Sequence, residues 1–252
     1  MSKGKVWLLF LMILLFLWGA VTFLHPYING AVVDSTLKLE AQQFIDRITK
    51  LTDNSEDTAG AEPVNTEPER PYAKLWEAME SYNRTIWEEK QEGLCDPWSY
   101  IQPSFVLEDY GLADEVFGVI SIPNLELELP LYLGASDEHL SKGAAVLSQT
   151  SIPIGGNNTN CVIAGHRGYN GESYFRYITD LQVGDTVTIT NLWETISYTV
   201  TSTDIIEPTD VSKILIQENR EMLTLLTCHP YASGGRQRYV VYCERTNEME
   251  VI

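Results

Sequence analysis

The hydrophobic positions of this chain follow three successive patterns, which divide it into three regions. Residues 6–24 form an unbroken apolar run. Between residues 37 and 87, apolar side chains recur every three or four positions, which places them on one face of an α-helix. From Val116 onward the period falls to two, in short runs rich in β-branched and aromatic residues. The pattern predicts an apolar helix, then amphipathic helices, then a β domain.

The apolar run 6–24 is long enough to cross a membrane. As an α-helix it would extend about 28 Å, close to the thickness of a hydrocarbon core. Lys3 and Lys5 precede it, so the positive-inside rule places the N-terminus in the cytoplasm and everything after His25 outside the cell. A cleaved signal peptide is the alternative, but the run exceeds the roughly 7–15 apolar residues of a signal peptide and no A-x-A site follows it. We predict a retained anchor within residues 1–28.

Two amphipathic helices are predicted in residues 29–92. The first, a stalk helix of roughly four turns, carries the apolar stripe Leu37, Ala41, Phe44, Ile48 and Leu51. The second is expected to pack on the β domain through Leu75, Met79, Tyr82 and Ile86, with Trp76 and Trp87 widening the same face. Between the helices, residues 53–70 are acidic, contain proline and nearly lack bulky apolar side chains, which predicts a linker or mobile loop.

The remaining pattern predicts a mostly β fold over residues 101–252. The predicted strands are 116–122, 125–132, 143–148, 160–165, 184–190, 195–206, 222–228 and 238–243. Short helical turns are expected near 136–141, 172–180 and 209–216. About eight strands in roughly 130 residues favour a closed or nearly closed β-barrel.

Charge and composition exclude some classes of function. The formal net charge is −18, and no cluster of Lys and Arg is present, which argues against binding to nucleic acid. Four cysteines, at 95, 161, 228 and 243, form no C-x-x-C pair and have no histidine at the spacing of a zinc ligand. We therefore expect neither a metal site nor another cofactor. An even number of cysteines outside the cell leaves disulfide pairing open.

Cys228 is the cysteine most suited to chemistry. It ends the apolar run Leu223–Thr227 and is followed closely by Pro230, which marks the end of a strand, so its thiol can face a cleft. Cys161 and Cys243 lie inside strands, where a cysteine usually serves as a small apolar side chain.

A reactive thiol needs a basic partner, and two histidines compete for that role. His229 adjoins Cys228, but successive strand residues point to opposite faces. His166 ends the apolar run 162–165 and lies between Gly165 and the Arg167-Gly168 pair, which is typical of a functional loop. We therefore expect His166 to be the partner. His25 and His139 are expected to be ordinary histidines.

Acyl transfer also needs a group that stabilises the developing oxyanion. Arg238 begins the regular strand 238–242 and shares a face with Val240 and Tyr242, whereas Arg236 follows Gly234-Gly235 and is expected in the loop. A solvated surface charge is the ordinary role of an arginine. On these observations alone, a solvated surface charge is also the expected role of Arg238.

These segments together resemble the sortase family of cysteine transpeptidases. The resemblance rests on three motifs, which occur in the same order as in the family and lie within roughly residues 95–245. They are Leu-Thr-Leu-Leu-Thr-Cys228, Ala-Gly-His166-Arg-Gly and Arg238-Tyr-Val-Val. The resemblance implies an eight-stranded sortase barrel, an LPXTG-like sorting signal as substrate and a thioacyl intermediate on Cys228. It also implies that His166 is the acid and base, that Arg238 orients the substrate and stabilises the oxyanion, and that the acyl group passes to an amine.

One further segment points to a subclass. Cys95-Asp96-Pro97-Trp98 resembles the lid of the pilus-building class C sortases, in which the Asp pairs with the active-site Arg and the aromatic ring covers the Cys. Asp96 and Trp98, in a lid segment at 93–100, are therefore expected to close the site. The expected partners are pilins or other proteins with sorting signals, and an amine from a pilin Lys or a cell-wall precursor.

Three other functions remain compatible with the sequence. A housekeeping sortase that anchors proteins to the cell wall would use the same residues. A hydrolytic cysteine peptidase would also use them, but would pass the acyl group to water. A surface adhesin or scaffold would keep Cys228 only as a structural thiol. Alkylation of Cys228 would leave the function of such a scaffold unchanged.

Overall fold

The computed structural model describes residues 3–56, 70–92, 94, 105–168 and 173–246. The helices are α1 (Lys3–Glu56), α2 (Ala73–Glu88) and α3 (Asp137–Lys142). The strands are β1 (Val116–Ile122), β2 (Leu127–Leu133), β3 (Ala144–Val146), β4 (Thr159–Ala164), β5 (Thr186–Thr190), β6 (Thr195–Ile206), β7 (Glu221–His229) and β8 (Gln237–Arg245). Short 3₁₀ turns lie at Leu107–Tyr110, Pro123–Leu125, Ile178–Asp180 and Val211–Ile214.

The eight strands close into a barrel in the order β1-β2-β3-β4-β7-β8-β6-β5. The pairs β2–β3 and β4–β7 are parallel, and the other pairs are antiparallel. Each predicted strand is present, with both ends within two residues of the predicted ones. The expectation of a mostly β, closed barrel with short helices is confirmed.

The start of β2 corrects the prediction for residues 125–132. Alternation of Leu and Glu suggested a strand from Leu125, but Pro123–Leu125 form a 3₁₀ turn and Glu126 has a left-handed backbone with φ of 50°. Proline fixes a φ that suits such a turn, so local backbone chemistry overrides the alternation at this point. The strand begins two residues later, at Leu127.

The parallel pair β4–β7 lies at the centre of the buried part of the barrel. Every residue of β4 is buried, and so is the stretch of β7 from Met222 to Thr227. Strands that are covered on both faces need near-continuous apolar sequence, which explains the runs that end at Ala164 and Leu226. Because these strands are parallel, their carboxyl ends meet at the same edge of the barrel.

Helix α1 is continuous from the apolar N-terminal run to the barrel. Its segment Gly4–Leu24 has the length and composition to span a membrane and has no buried residue. Further along, Leu37, Ala41 and Phe44 are buried against β1 and β2, and Arg47 Nη1 lies 2.6 Å from Asp114 Oδ2. The stripe that predicted a stalk therefore packs on the barrel. The helix also continues to Glu56, past the predicted start of the linker; residues 57–69 lie outside the described part.

Helix α2 packs on the barrel as expected. Leu75, Met79 and Ile86 are buried. Asn83 adds two hydrogen bonds to one residue: its Nδ2 donates to the Ile152 carbonyl at 3.0 Å, and its Oδ1 accepts from the Ile152 amide at 2.7 Å. A buried amide side chain needs such partners, because an unpaired polar group costs free energy in the core.

Candidate active site

Cys228 lies near the carboxyl end of β7 and is partly exposed. Cys161 and Cys243 also carry free thiols, but both are buried. Burial raises the pKa of the Cys161 thiol and raises that of Cys243 to about 12, so both stay protonated at neutral pH. Among these three, Cys228 alone is accessible to a substrate. Cys95 lies outside the described residues.

Arg238 lies directly opposite Cys228 in the antiparallel pair of β7 and β8. Directly opposite residues point to the same face of a sheet, so the guanidinium and the thiol share one face. Arg238 Nη1 donates to the carbonyl of Gly235 at 2.6 Å and to that of Gln237 at 3.1 Å. Arg236 precedes β8 and is exposed in the loop, where we expected it.

Gly235 shows how close the thiol and the guanidinium are. A Cβ atom on this glycine would lie 3.0 Å from Arg238 Nη1 and 3.3 Å from Cys228 Sγ. Arg238 Nη1 and Cys228 Sγ therefore border the same small volume. Gly235 also has φ of 75°, a backbone conformation that a side chain disfavours.

His166 lies two residues beyond β4, at the same edge of the barrel as Cys228. The parallel register pairs Ala164 with Leu226, and the Gly165 amide then donates to the Leu226 carbonyl at 3.1 Å. Thr227 Oγ1 donates to the Gly165 carbonyl at 2.8 Å. Continuing this register places His166 beside Cys228.

The surroundings of His166 hold its ring and tune its charge. Its carbonyl accepts from the Phe175 amide at 2.9 Å, and its ring meets that of Tyr174 edge-on at 6.1 Å between centroids. Burial lowers the pKa of the His166 imidazole, and the negative charge of Asp137 opposes that effect. The ring is therefore kept mainly neutral at neutral pH, with Asp137 favouring its protonated form.

His229 is engaged away from this thiol. Arg167 Nη1 lies 2.6 Å from His229 Nδ1, so that nitrogen accepts the hydrogen bond and the neutral ring carries its proton on Nε2. Loss of solvation, and then the Arg167 charge, lowers the pKa of His229. Its ring lies against that of Tyr239, at 6.0 Å between centroids.

Arg167 makes contacts at the site that the sequence did not predict. Besides binding His229, its Nη1 donates to the Cys228 carbonyl at 3.3 Å. This side chain therefore joins the loop after β4 to the backbone of Cys228. Its position next to His166 was the only available signal, because the partner is 61 residues away in sequence.

The arrangement combines three chemical functions at one edge of the barrel. It brings together a partly exposed thiol, an imidazole with a pKa lowered by burial, and a guanidinium. A nucleophile, a proton carrier and a cationic hydrogen-bond donor are the groups that acyl transfer requires. The residues that the structure describes include no cluster suited to a metal ion. Asp96 and Trp98, the predicted lid, lie outside the described residues.

Comparison with known proteins gives one consistent family. The sequence profile described as Sortase domain matches residues 120–246. Sortase D of Bacillus subtilis (strain 168) is 30% identical over 130 residues, which cover 51% of this chain and 63% of that protein. Across the curated relatives, the matches span between 50% and 63% of the relative's length.

Solved structures resemble the chain over a longer stretch. Sortase C1 of GBS Pilus Island 1 is 28% identical with a TM-score of 0.62, over 72% of this chain and 85% of that structure. A lid mutant of Streptococcus agalactiae sortase C1 is 27% identical, also with a TM-score of 0.62, over 71% of this chain and 91% of that structure.

Proposed function

This chain belongs to the sortase family, and on that premise we propose that it is a membrane-anchored cysteine transpeptidase. It cleaves an LPXTG-like sorting signal through a thioacyl intermediate on Cys228 and transfers the acyl group to an amine. The observation that carries the proposal is the placement of Cys228 directly opposite Arg238, with His166 at the adjoining end of β4.

Each residue has one role in the proposed reaction. The Cys228 sulfur attacks the carbonyl carbon of the sorting signal while its proton passes to His166, and Arg238 stabilises the oxyanion that forms. The carbon–nitrogen bond breaks as His166 returns that proton to the leaving amine, which leaves a thioester. An acceptor amine then attacks the thioester and gives its proton to His166. The sulfur departs and recovers that proton, and a new amide bond remains.

The proposed substrates follow from the family and its structural neighbours. Pilus-related sortase C enzymes recur among the similar structures, which favours joining of pilin subunits through a pilin Lys. Anchoring to an amine of a cell-wall precursor is the alternative. Lys3 and Lys5 favour a cytoplasmic N-terminus, which places the barrel outside the cell.

We extend the proposal to a lid formed by Asp96 and Trp98. The similar structures include a lid mutant of a sortase C1, and the segment Asp96-Pro97-Trp98 precedes the barrel in this chain. Trp98 would cover the Cys228 thiol, and Asp96 would pair with Arg238. A substrate would then have to displace this segment before the thiol could react.

The decisive experiment is mass spectrometry of the full-length protein in detergent with an LPXTG-like peptide. The wild-type protein should gain the mass of the acyl fragment, and Cys228→Ala should gain none. Cys161→Ala and Cys243→Ala are matched controls, which should keep the adduct and lose mainly stability, because both thiols are buried. Acylation of Cys228→Ala would exclude Cys228 as the nucleophile.

The fate of the acyl group separates the alternative functions. An added amine should convert the product from acid to amide in a transpeptidase, whereas a hydrolytic peptidase would release acid regardless. Competition between a pilin-derived Lys peptide and a cell-wall precursor then distinguishes polymerisation from anchoring. The preferred amine identifies the acceptor.

A further inference from the structure

The basic residues of the barrel fall into two groups. Between Val116 and Thr246 the chain has eight of them: Lys142, Arg167, Arg176, Lys213, Arg220, Arg236, Arg238 and Arg245. Four form ion pairs with carboxylates: Lys142, Lys213, Arg220 and Arg245. The other four lie on the segments that surround Cys228.

Three of these four, Arg167, Arg176 and Arg236, form no ion pair with any carboxylate in the described part of the chain. The chain has 35 acidic residues against 17 basic ones, so carboxylate partners are abundant elsewhere. An unpaired arginine is common on a surface. Three of them on the segments around one thiol, in a strongly acidic protein, concentrate positive charge there.

Contacts and chain position place this group, which we call the arginine rim, around Cys228. Arg167 Nη1 contacts the Cys228 carbonyl at 3.3 Å, and its Nε is buried with no hydrogen-bond partner among the described residues. The Arg176 guanidinium lies 4.5 Å from the ring centre of Tyr231, three residues after Cys228. Arg236 follows Gly235, whose Cβ position would be 3.3 Å from Cys228 Sγ.

In the described part of the chain, carboxylates near the site engage other partners. Asp137 acts on His166, and Glu207 Oε1 accepts from Gln237 Nε2 at 3.2 Å. Each therefore lies close to the site, but neither pairs with the rim among the described residues. Stacking of Arg176 on Tyr231 leaves the edge of its guanidinium able to donate hydrogen bonds.

We propose that Arg167, Arg176 and Arg236 bind a carboxylate on a reaction partner, next to the amide or amine that reacts at Cys228. The inference rests on the proposed function and adds a substrate class to it. Two sources supply the same chemistry: an acidic side chain in the sorting signal beside the cleaved amide, or a carboxylate beside the acceptor amine. An acidic protein repels such partners at long range, and the rim reverses that effect locally.

The rim is tested by alkylation of Cys228 with iodoacetate, which is anionic, and iodoacetamide, which is neutral. The ratio of the two rates reports the local potential without requiring any catalysis. In Arg176→Gln/Arg236→Gln this ratio should fall about three- to tenfold at low salt, and the difference should shrink at high salt. Mass spectrometry assigns the label to Cys228.

A matched control makes the effect specific. Arg220→Gln/Arg245→Gln removes the same amount of charge from residues that pair with Glu244 and Glu221 at the other end of β7 and β8. It should leave the ratio within about twofold of wild type, because the interaction of two charges falls with distance, and Cys228 lies seven positions after Glu221 along β7, a rise of about 23 Å. An equal fall in both variants, or none in the rim variant, would overturn the proposal.

Matched substrates identify the source of the carboxylate. Two sorting peptides, one with Glu and one with Gln beside the cleaved amide, test whether the carboxylate belongs to the sorting signal. Two acceptor amines, one with a free and one with an amidated carboxyl group next to the amine, test whether the carboxylate belongs to the acceptor. One of these pairs should show about a three- to tenfold preference in kcat/KM for the carboxylate, and the rim variant should lose it.

The two proposals fail in different ways. Acylation of Cys228 with no preference in either pair would refute the rim and leave the transpeptidase intact. If no peptide acylates Cys228, the proposed function fails, and the alkylation ratio still decides whether the rim exists.

Discussion

Gly235 is the residue whose replacement tests the geometry of the site most directly. Gly234 and Gly235 have nearly the same backbone, with φ of 70° and 75°, so alanine costs about 1 kcal/mol of strain at either position. Their surroundings differ, because a Cβ on Gly234 meets no atom of the described residues within 4 Å, whereas one on Gly235 meets Arg238 and Cys228. Comparison of alanine variants at the two glycines therefore separates the effect of backbone strain from the effect of displacing the Arg238 guanidinium and the Cys228 thiol.

We expect Gly235→Ala to lower kcat/KM about 10- to 100-fold, because small displacements of reacting groups are costly. Gly234→Ala should stay within about threefold of wild type, with a similar loss of thermal stability. Steady-state kinetics and thermal unfolding of both variants provide the measurement. Equal kinetic losses would mean that loop strain, rather than contact with the site, controls activity.

Asp137 favours the protonated form of His166, against the larger effect of burial. Burial lowers the pKa of His166 and the Asp137 charge raises it, so Asp137→Asn should lower this pKa further. Glu138→Gln removes the neighbouring carboxylate, which instead pairs with Lys142, and should change the pKa less. NMR titration of His166 in a Cys228→Ala background measures both shifts without the coupled thiol. A rise on removal of Asp137 would contradict the assignment.

The same shift has a consequence for folding. Because the folded protein holds His166 at a lowered pKa, the unfolded chain binds more protons at mildly acidic pH. The contribution of this residue to stability is present above its ordinary pKa of 6.5 and is lost as the pH falls through the folded value.

At the scale of elements, the docking of α1 makes a stability prediction. Phe44 is 2% exposed and Leu39, on the same helix, is 56% exposed. Phe44→Ala should lower the free energy of unfolding by about 3–5 kcal/mol, and Leu39→Ala should change it by less than about 0.5 kcal/mol. Urea unfolding in detergent checks both values. Similar values for the two variants would show that α1 does not depend on this contact.

The proposed lid predicts a kinetic change without a change in stability. Arg238 is 8% exposed, so attraction between Asp96 and Arg238 is offset by the loss of solvation, and a ring over a thiol adds only about 1 kcal/mol. The lid is therefore expected to open readily. Asp96→Ala/Trp98→Ala should therefore speed iodoacetamide alkylation of Cys228 several-fold and leave thermal unfolding nearly unchanged. A lower unfolding temperature with an unchanged alkylation rate would indicate a packed turn instead.

The sequence predicted the strands well because their two-residue period is a local property. The limits of β6, Thr195–Ile206, and of β1, Val116–Ile122, were predicted without error. The docking of α1 was missed, because an apolar stripe shows that a helix has a partner without showing which one. Even the start of β2 depended on the turn chemistry of Pro123 rather than on alternation.

Some features of the candidate site could likewise be predicted from local sequence patterns, and others could not. Face parity set His229 apart from Cys228, and this feature followed from the two-residue period alone. The register that places Arg238 opposite Cys228 joins two strands, and the period of either strand does not give it. The Arg167 contacts to Cys228 and His229 join distant segments, and no local pattern encodes them.

At the scale of the whole molecule, α1 connects the candidate membrane span to the barrel without a break. The buried Leu37 lies thirteen positions after Leu24, the end of that span, which is a helical rise of about 20 Å. With Gly4–Leu24 in a bilayer, the barrel is held at a nearly fixed height above it.

Replacing residues 26–32 with a flexible Gly/Ser segment of equal length should broaden the distribution of distances between a barrel label and the membrane. Activity on a soluble peptide should stay within about twofold of wild type, because the barrel and its site are untouched. Energy transfer from a lipid-bound dye measures the distances. Equal widths in both proteins would show that α1 already bends between the two parts.

Closure of the barrel also limits how a peptide can be recognised. The two strands that carry Cys228 and Arg238 are flanked on both sides next to the site: β7 by β8 and β4, and β8 by β7 and β6, so neither offers an open edge there to which an extended peptide could add as a further strand. The proposed sorting signal should therefore be held at these strands by its side chains, and by isolated hydrogen bonds, rather than by a continuous backbone ladder. Discrimination among signals should then depend on side-chain identity, while methylation of peptide nitrogens away from the cleaved bond should be tolerated.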